Sequence, residues 1–171
     1  MMKIILTILL ALTMVSAPSA KEPTPNLDAY KKQLATYYDT GEYTKDVKLM
    51  TMEISNYIQQ RVDQNNKSDH PKKLAIVFNI DDTLLSNYPA LKQNDFCRSG
   101  VRQYQLQGNL QAIPDVLALY RLAIKNKIAV FIITERTNEL KEATLRNLKN
   151  AGYTQFQQLI FKPDNYHEKT F

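Results

Sequence analysis

The sequence predicts an α/β fold in which helices precede a parallel sheet. Three apolar runs rich in branched residues, LAIVFNI, IAVFIIT and QLIF, are too short for helices and are predicted as buried strands. Amphipathic segments precede the second run and separate it from the third. Strands and helices that alternate in this way are typical of parallel sheets with right-handed crossovers.

The first 20 residues, MMKIILTILLALTMVSAPSA, have the layout of a secretory signal peptide: one lysine, an apolar run and then small residues. The run from Ile4 to Val15 is shorter than the roughly 20 residues that cross a bilayer as a helix. We therefore expect cleavage after Ser19 or Ala20, a secreted or periplasmic protein, and no stable membrane anchor.

Residues 21–73 are predicted as an N-terminal helical extension. Apolar residues recur at helical spacing in two successive runs, and the Met and Tyr positions among them are interpreted as core packing. The first run, which ends at DTGEY, comprises Leu27, Tyr30, Leu34 and Tyr37. The second comprises Val47, Met50, Ile54, Tyr57 or Ile58, and Val62.

The first strand, residues 74–80, is followed by a segment without a clean period. We interpret this segment, at about 84–111, as a small helical or irregular insertion above the end of the strand. Pro114 suits the first turn of the next helix. The apolar stripe of that helix is predicted to comprise Ile113, Leu117, Tyr120 and Ile124. A last helix, within TNELKEATLRNLKNAG, ends at Gly152. Its inward-facing residues are predicted to be Leu140, Thr144, Leu148 and Ala151.

The composition excludes several chemistries. Removal of the signal peptide takes away only Lys3, which lowers the formal net charge from +5 to +4, and the remaining lysines are dispersed. We therefore predict no nucleic-acid binding. Four glycines cannot form the usual nucleotide fingerprints, and two histidines with one cysteine offer no zinc spacing. Cys97 is expected to be buried as a small hydrophobe, or else to remain a reactive thiol.

Two of the predicted strands end in polar residues, at Asn79 to Thr83 and at Thr134 to Arg136. Ligands of open parallel sheets bind at the carboxyl ends of the strands. Of two carboxylates at such an end, the first can attack phosphorus and the second can act as the general acid and base. Magnesium offsets the repulsion between the anions. A hydroxyl on the neighbouring strand can hold a phosphoryl oxygen. The chain supplies Asn79, Asp81 and Thr134, with Thr83 close by.

These motifs resemble the haloacid dehalogenase superfamily of phosphatases. FNIDDTLLSNYP, VFIITER and ATLRNLKNAGY, within residues 74–161, are similar to the exported acid phosphatases of the class B and plant vegetative-storage-protein group. The resemblance implies a Rossmann-like parallel sheet with a small cap insertion, and hydrolysis of phosphomonoesters through an aspartyl-phosphate. It places Asn79 at the nucleophile position and Asp81 at the general acid/base position. Thr134, with Thr83 nearby, falls at the phosphate-binding position.

Magnesium is the cofactor that the resemblance implies, held by the nucleophile position, Asn79, by the backbone carbonyl of Asp81 and by acidic residues of a later motif. The sequence departs from the family pattern at Asn79, because an amide is neutral and a very poor nucleophile. Glu135 stands where the family usually has glycine, and a carboxylate beside a bound phosphate is unfavourable. The family's phosphate-binding lysine and its acidic metal loop are expected beyond the last residue. Lys162 and Lys169 lack the strand context for that lysine.

We therefore predict a signal peptide over 1–20, a helical extension over 21–73 and an incomplete phosphatase core over 74–171. Without a neighbour, the strand at 74–80 would be an open apolar edge prone to self-association. Three outcomes stay open. The chain is an acid phosphatase that tolerates the amide and hydrolyses phosphomonoesters, a noncatalytic protein that binds a phosphorylated ligand or serves in storage or interaction, or an unstable fragment. We favour membership of the phosphatase family with impaired or absent activity.

The candidate site residues also have plain structural interpretations. Asp81 and Asp82 would then form a solvated turn after the strand. Thr134 would cap the helix that follows it, an alternative that the sequence leaves open. Glu135 and Arg136 are interpreted as a surface pair that does not contact the ligand.

Overall fold

A computed structural model describes residues 26–163, so the predicted signal peptide and residues 164–171 lie outside the described part. The elements in chain order are α1 (Leu27–Asp39), α2 (Glu42–Asn66), β1 (Ala75–Phe78), α3 (Tyr88–Gln93), α4 (Arg98–Gln107), α5 (Pro114–Lys125), β2 (Ala129–Thr137), a 3-10 turn (Asn138–Leu140), α6 (Lys141–Asn150) and β3 (Gln158–Lys162). Across 26–163, none of these helices has the length and apolar character needed to span a bilayer.

The three described strands form one parallel sheet in the order β1-β2-β3. Ala75 of β1 pairs with Ala129 of β2, and Ile133 of β2 pairs with Ile160 of β3. The predicted α/β order and its parallel connections are therefore confirmed. Within residues 26–163, β1 has a neighbouring strand on one side alone, so it is an edge of the sheet.

The prediction that the strands are buried on both faces is wrong. Burial alternates along β2, and large apolar side chains stay exposed on one face, among them Val77 at 58% and Ile133 at 47%. Right-handed crossovers between strands in sequential order place both crossover helices on the same face. The core lies on that face, where the strands pack against α2, α5 and α6 through residues that include Ile58, Phe78, Val130, Ile132, Tyr120 and Leu148.

The crossover helices form where they are predicted, and their buried faces agree with the prediction in part. Pro114 lies in the first turn of α5. Ile113 and Tyr120 of the predicted stripe are buried, whereas Leu117 and Ile124 are half-buried. The last helical segment begins as a 3-10 turn and continues as α6. Its buried residues include Leu140, Thr144 and Leu148. Gly152 follows α6 with a φ of +95°, a left-handed conformation that glycine adopts at little cost.

The N-terminal extension is helical as predicted, but much of its predicted core stripe is exposed. The exposed residues include Leu27, Tyr30, Leu34, Met50 and Tyr57. α2 packs against α5 and buries Val47, Ile58 and Val62. α1 packs through a different face, because Tyr38 stacks on Tyr43 and on Tyr88 of α3. Helical spacing was therefore a correct guide to the helices and a poor guide to which face is covered.

The predicted insertion contains α3 and α4, and α1 is attached to it. The rings of Tyr38 and Tyr88 are stacked with centroids 3.9 Å apart. The Asp39 carboxylate accepts hydrogen bonds from the Tyr88 hydroxyl at 2.7 Å and from Lys92 Nζ at 2.6 Å. Cys97 is exposed at the start of α4, so the expectation that it is buried is wrong, because the connection between α3 and α4 faces solvent.

Candidate functional site

A tight turn follows β1 and brings polar residues to the end of the strand. The Ile80 carbonyl accepts hydrogen bonds from the backbone N–H groups of Thr83, Leu84 and Leu85. Ile80, Leu84 and Leu85 are fully buried and anchor the turn in the core. Asp82 has a φ of +53°, a left-handed conformation in which aspartate is enriched. The apolar residues of the turn thus fix its position, and its carboxylates remain at the edge of the sheet.

Asn79 is exposed at the end of β1 and borders two cavities. Its Oδ1 accepts a hydrogen bond from the backbone N–H of Ile80 at 2.7 Å, which leaves the amide NH₂ available to a ligand. The first cavity, of about 480 Å³, is also lined by Thr134 and Lys162, and we call it the sheet cavity. The second, of about 230 Å³, lies between Asn79, Asp81 and the helices α3 and α4, and we call it the insertion cavity.

The Asp81 carboxylate is held by four hydrogen bonds. Arg136 Nη2 donates to Oδ1 at 2.7 Å, and Arg136 Nε donates to Oδ2 at 3.0 Å. Asn87 Nδ2 and Gln105 Nε2 donate to Oδ1 at 3.1 and 3.0 Å. Arg136 is itself 3% exposed, and its Nη1 donates to Thr144 Oγ1 at 3.1 Å. Asp81 thus connects the turn after β1 to β2 and to the insertion.

These contacts determine the charge state of Asp81. Burial is the largest single influence and raises its pKa, but the hydrogen bonds and positive charge of Arg136, with the hydrogen bonds from Asn87 and Gln105, outweigh it. The net effect holds the pKa of Asp81 below its usual value. Asp81 is therefore a carboxylate at mildly acidic pH, whereas a general acid must carry a proton.

The prediction that Glu135 and Arg136 form a surface pair is wrong. Consecutive side chains on a strand point to opposite faces, so Glu135 is exposed and Arg136 is buried. β2 continues to Thr137, three residues beyond the predicted end at Thr134. Val130, Ile132 and Thr134 lie on the buried face of β2 at a period of two residues. If the predicted strand had been extended beyond Thr134, the same period would have placed Arg136 on that face.

Thr134 lies within β2 and does not cap a helix. It is buried, and its Oγ1 accepts a hydrogen bond from the backbone N–H of Arg136 at 3.2 Å, which leaves the hydroxyl proton to donate. Lys162 is the last residue of β3 and lines the sheet cavity, so the interpretation that it lacks a strand context is wrong. Thr83 lines neither the sheet cavity nor the insertion cavity.

The described side chains do not fit a magnesium ion at the predicted ligands Asn79 and Asp81. Magnesium binds oxygen ligands in octahedral geometry. The Asn79 amide is neutral, and its Oδ1 already accepts a hydrogen bond from the backbone. Both side-chain oxygens of Asp81 accept hydrogen bonds from the Arg136 guanidinium, which leaves the backbone carbonyl as the oxygen that Asp81 could offer to the ion. Among residues 26–163, no group of three or more His, Cys, Asp or Glu residues is placed to hold a metal ion.

The fold and the strand-end residues define an α/β protein of the haloacid dehalogenase type, with a polar turn after β1 and a threonine in β2 at the adjacent strand end. Residues 13–171 match the family described as the HAD superfamily, subfamily IIIB (Acid phosphatase). The chain therefore belongs to this acid phosphatase family.

Curated plant proteins are among the relatives of the chain. The Stem 28 kDa glycoprotein of Glycine max is 33% identical over 101 residues, which are 54% of this chain and 38% of that protein. Acid phosphatase 1 of Solanum lycopersicum is 29% identical over 99 residues, with coverage of 55% and 39%. Vegetative storage protein 1 of Arabidopsis thaliana is 31% identical over 94 residues, with coverage of 52% and 35%. The chain thus spans less than half the length of each of these relatives.

The class C acid phosphatase of Bacillus anthracis, solved with tungstate bound, has a similar fold. The TM-score is 0.65 at 19% sequence identity, and the superposition covers 82% of this chain and 61% of that chain. The predicted fold class and the family resemblance are confirmed by these comparisons.

Proposed function

We propose that the chain is an exported member of the acid phosphatase family that binds phosphomonoesters and hydrolyses them slowly or not at all. One observation carries the proposal: the Asp81 carboxylate is held by four hydrogen bonds, two of them from a buried Arg136, beside an amide at the nucleophile position.

Hydrolysis by the family chemistry needs two groups that this site supplies poorly. Attack on phosphorus needs an anionic oxygen, and the Asn79 amide is neutral and already accepts a backbone hydrogen bond. Protonation of the leaving oxygen needs a carboxylic acid, and Arg136 favours the ionised form of Asp81. Turnover would require a different nucleophile and a rearranged Asp81.

Binding of a phosphate needs neither a nucleophile nor a carboxylic acid. Asn79, Thr134 and Lys162 line the sheet cavity, and their side chains all carry hydrogen-bond donors. An amide in place of a carboxylate also removes one charge that would repel a phosphate dianion. Glu135 borders the same cavity and acts against binding, so we expect moderate affinity.

The test measures binding and turnover on the same preparations. Isothermal titration calorimetry with inorganic phosphate is expected to give saturable heat. Hydrolysis of p-nitrophenyl phosphate at mildly acidic pH, with and without magnesium, is expected to be absent or far slower than about 1 s⁻¹ for the chain and for Asn79→Asp. Asn109→Asp, an exposed position that borders neither cavity, controls for the added charge.

Two results would overturn the proposal. Turnover by the unmodified chain at about 1 s⁻¹ or faster, within the ordinary range of enzymes, would make it a working phosphatase. Absence of heat with phosphate from a folded protein would remove the binding function. A storage or interaction role would then be the candidate, and the similarity to a vegetative storage protein supports it.

Export is part of the proposal, since the apolar run at residues 4–15 followed by small residues has the order of a secretory signal. Expression of the full chain in a host with a secretory pathway is expected to yield an extracytoplasmic protein whose first residue is Ala20 or Lys21. N-terminal sequencing would identify it, and an intact Met1 on a cytoplasmic protein would contradict export.

A further inference from the structure

The insertion cavity has a polar wall that the proposed phosphate contacts do not use. It has a volume of about 230 Å³ and is lined by residues of the turn, of α3, of α4 and of β2. The polar residues concerned are Asp82, Asn87, Arg98, Gln105 and Glu135. Asn79 borders this cavity as well as the sheet cavity, so an ester whose phosphate lies at Asn79 can extend its alcohol part here.

Asn87 supplies a buried acceptor without a donor. The residue is 4% exposed, and its Nδ2 donates to Asp81 Oδ1 at 3.1 Å and to Asp82 Oδ2 at 3.3 Å. Two carboxylates beside one end of the side chain fix the NH₂ at that end. Its Oδ1 has no hydrogen-bond partner in the described part of the chain. Buried polar atoms are nearly always paired, so this atom indicates a ligand or water with a donor group.

The charges of the wall favour a cation. Asp82 and Glu135 contribute two carboxylates, and Arg98 contributes one positive charge. The Asp81 charge is already compensated by Arg136. The formal net charge of Asp82, Glu135 and Arg98 together is therefore −1. A protonated amine satisfies this balance and is a hydrogen-bond donor, and the unpaired acceptor Asn87 Oδ1 belongs to a residue that lines the same cavity.

The size of the cavity limits the ligand. Pockets for drug-sized molecules are roughly 300 Å³ or larger. At about 230 Å³ the insertion cavity suits an alcohol of a few heavy atoms.

We propose that the insertion cavity binds the alcohol part of a phosphomonoester, and that this alcohol is small and carries a protonated amine. The proposal rests on the proposed function, because it places the phosphate at Asn79.

The experiment compares matched esters by calorimetry on the full chain. O-phosphoethanolamine and ethyl phosphate differ in whether the two-carbon alcohol carries an ammonium group, and inorganic phosphate reports the phosphate site alone. We expect phosphoethanolamine to bind at least tenfold more tightly than ethyl phosphate.

Variants test whether the polar lining of the insertion cavity causes the preference for phosphoethanolamine over ethyl phosphate. Glu135→Gln is expected to reduce the tenfold preference to threefold or less without weakening ethyl phosphate. Glu142→Gln, the same change at an exposed position of α6 that does not line the cavity, is expected to leave it unchanged. Asn87→Ala is also expected to lower the preference for phosphoethanolamine. If Asn87→Ala does not fold, Glu135→Gln alone tests the proposal.

The outcomes separate this proposal from the one on which it rests. If inorganic phosphate and both esters bind and the two esters bind equally, the amine site is refuted and the phosphate site stands. Equal loss of preference in Glu135→Gln and Glu142→Gln would refute the assigned wall. If neither phosphate nor ester binds, the proposed function fails and the amine site fails with it.

Discussion

Arg136 determines what Asp81 can do, because it supplies two of the four hydrogen bonds to that carboxylate. The pair joins residues that lie 55 positions apart in the chain. The Arg136 side chain is 1% exposed and that of Asp81 is 25% exposed, so water shields their charges little. The two residues together connect the turn after β1 to β2.

Replacement of Arg136 is expected to destabilise the protein strongly. Arg136→Met leaves the Asp81 carboxylate without its counter-charge, and the loss of one partner of a buried pair costs about 3–5 kcal/mol. Urea unfolding would measure the change in free energy. Arg102→Met is the control, because Arg102 pairs with Glu139 on the surface and such pairs contribute about 0–1 kcal/mol. A loss below 1 kcal/mol in Arg136→Met would contradict the structural role of the pair.

The stability contributed by Asp81 is expected to depend on pH. Its pKa is lower in the folded protein than the ordinary value of 3.8, so the folded state binds fewer protons at this site. The contribution is therefore fully present well above pH 3.8 and is lost as the pH falls below 3.8 through the folded pKa. Urea unfolding of the chain and of Asp81→Asn, from pH 7 to pH 2.5, measures it as the difference between the two proteins. A difference that grows with acidification would mean that burial dominates the pKa.

Sequence reasoning placed Asn79, Asp81 and Thr134 at the strand ends, because the apolar runs and their polar successors are local features. It missed the roles of Arg136 and Asn87. Both contact Asp81 from other elements, and no local period reports which residue a strand or a helix brings to a distant carboxylate. An extension of β2 by strand alternation was the one available signal for Arg136.

Among the elements, α1 and α3 show how the extension supports the insertion. Tyr38 and Tyr88 stack with nearly parallel rings, and Asp39 binds both Tyr88 and Lys92. The insertion forms one wall of the 230 Å³ cavity, so α1 supports that wall indirectly.

A double-mutant cycle of Tyr38→Ala and Tyr88→Ala is expected to give a coupling energy of about 0.5–1.5 kcal/mol, as for other aromatic pairs. Urea unfolding of the four proteins gives this value. The control cycle combines Tyr30→Ala with Tyr88→Ala, since Tyr30 is exposed and no ring contact between it and Tyr88 occurs among residues 26–163. Equal coupling in both cycles would show that the stack contributes nothing specific.

The order and type of the helices and strands could be predicted from the sequence. Which of their faces are covered by other elements could not. Apolar runs fix the presence of β1, β2 and β3, but a run of branched residues looks the same whether one face or both faces are covered. Val77 and Ile133 are exposed because the described helices pack on the opposite face. The exposed Met50 shows the same limit for helices, since spacing identifies a face and not its neighbour.

For the whole molecule, the edge at β1 leads to a prediction about association. Unpaired strand edges recruit other strands, and charged side chains on an edge prevent this. We propose self-association through β1, and Val77→Lys is expected to shift the protein toward monomer in sedimentation velocity. Leu49→Lys, at an exposed apolar position of α2, is expected to leave the distribution unchanged. A monomeric unmodified chain at high micromolar concentration would exclude this association.

The four hydrogen bonds on Asp81 also bear on how such a protein could change in evolution. A single base change turns an asparagine codon into an aspartate codon, so a carboxylate at position 79 requires one mutation. Release of the Asp81 carboxylate is more costly, because its hydrogen bonds join the turn, β2 and α4. Under the proposed function, a lineage that gained catalysis would first need stability from elsewhere, since activity and stability compete at such sites. The proposed function therefore implies that activity at this site is easier to lose than to recover.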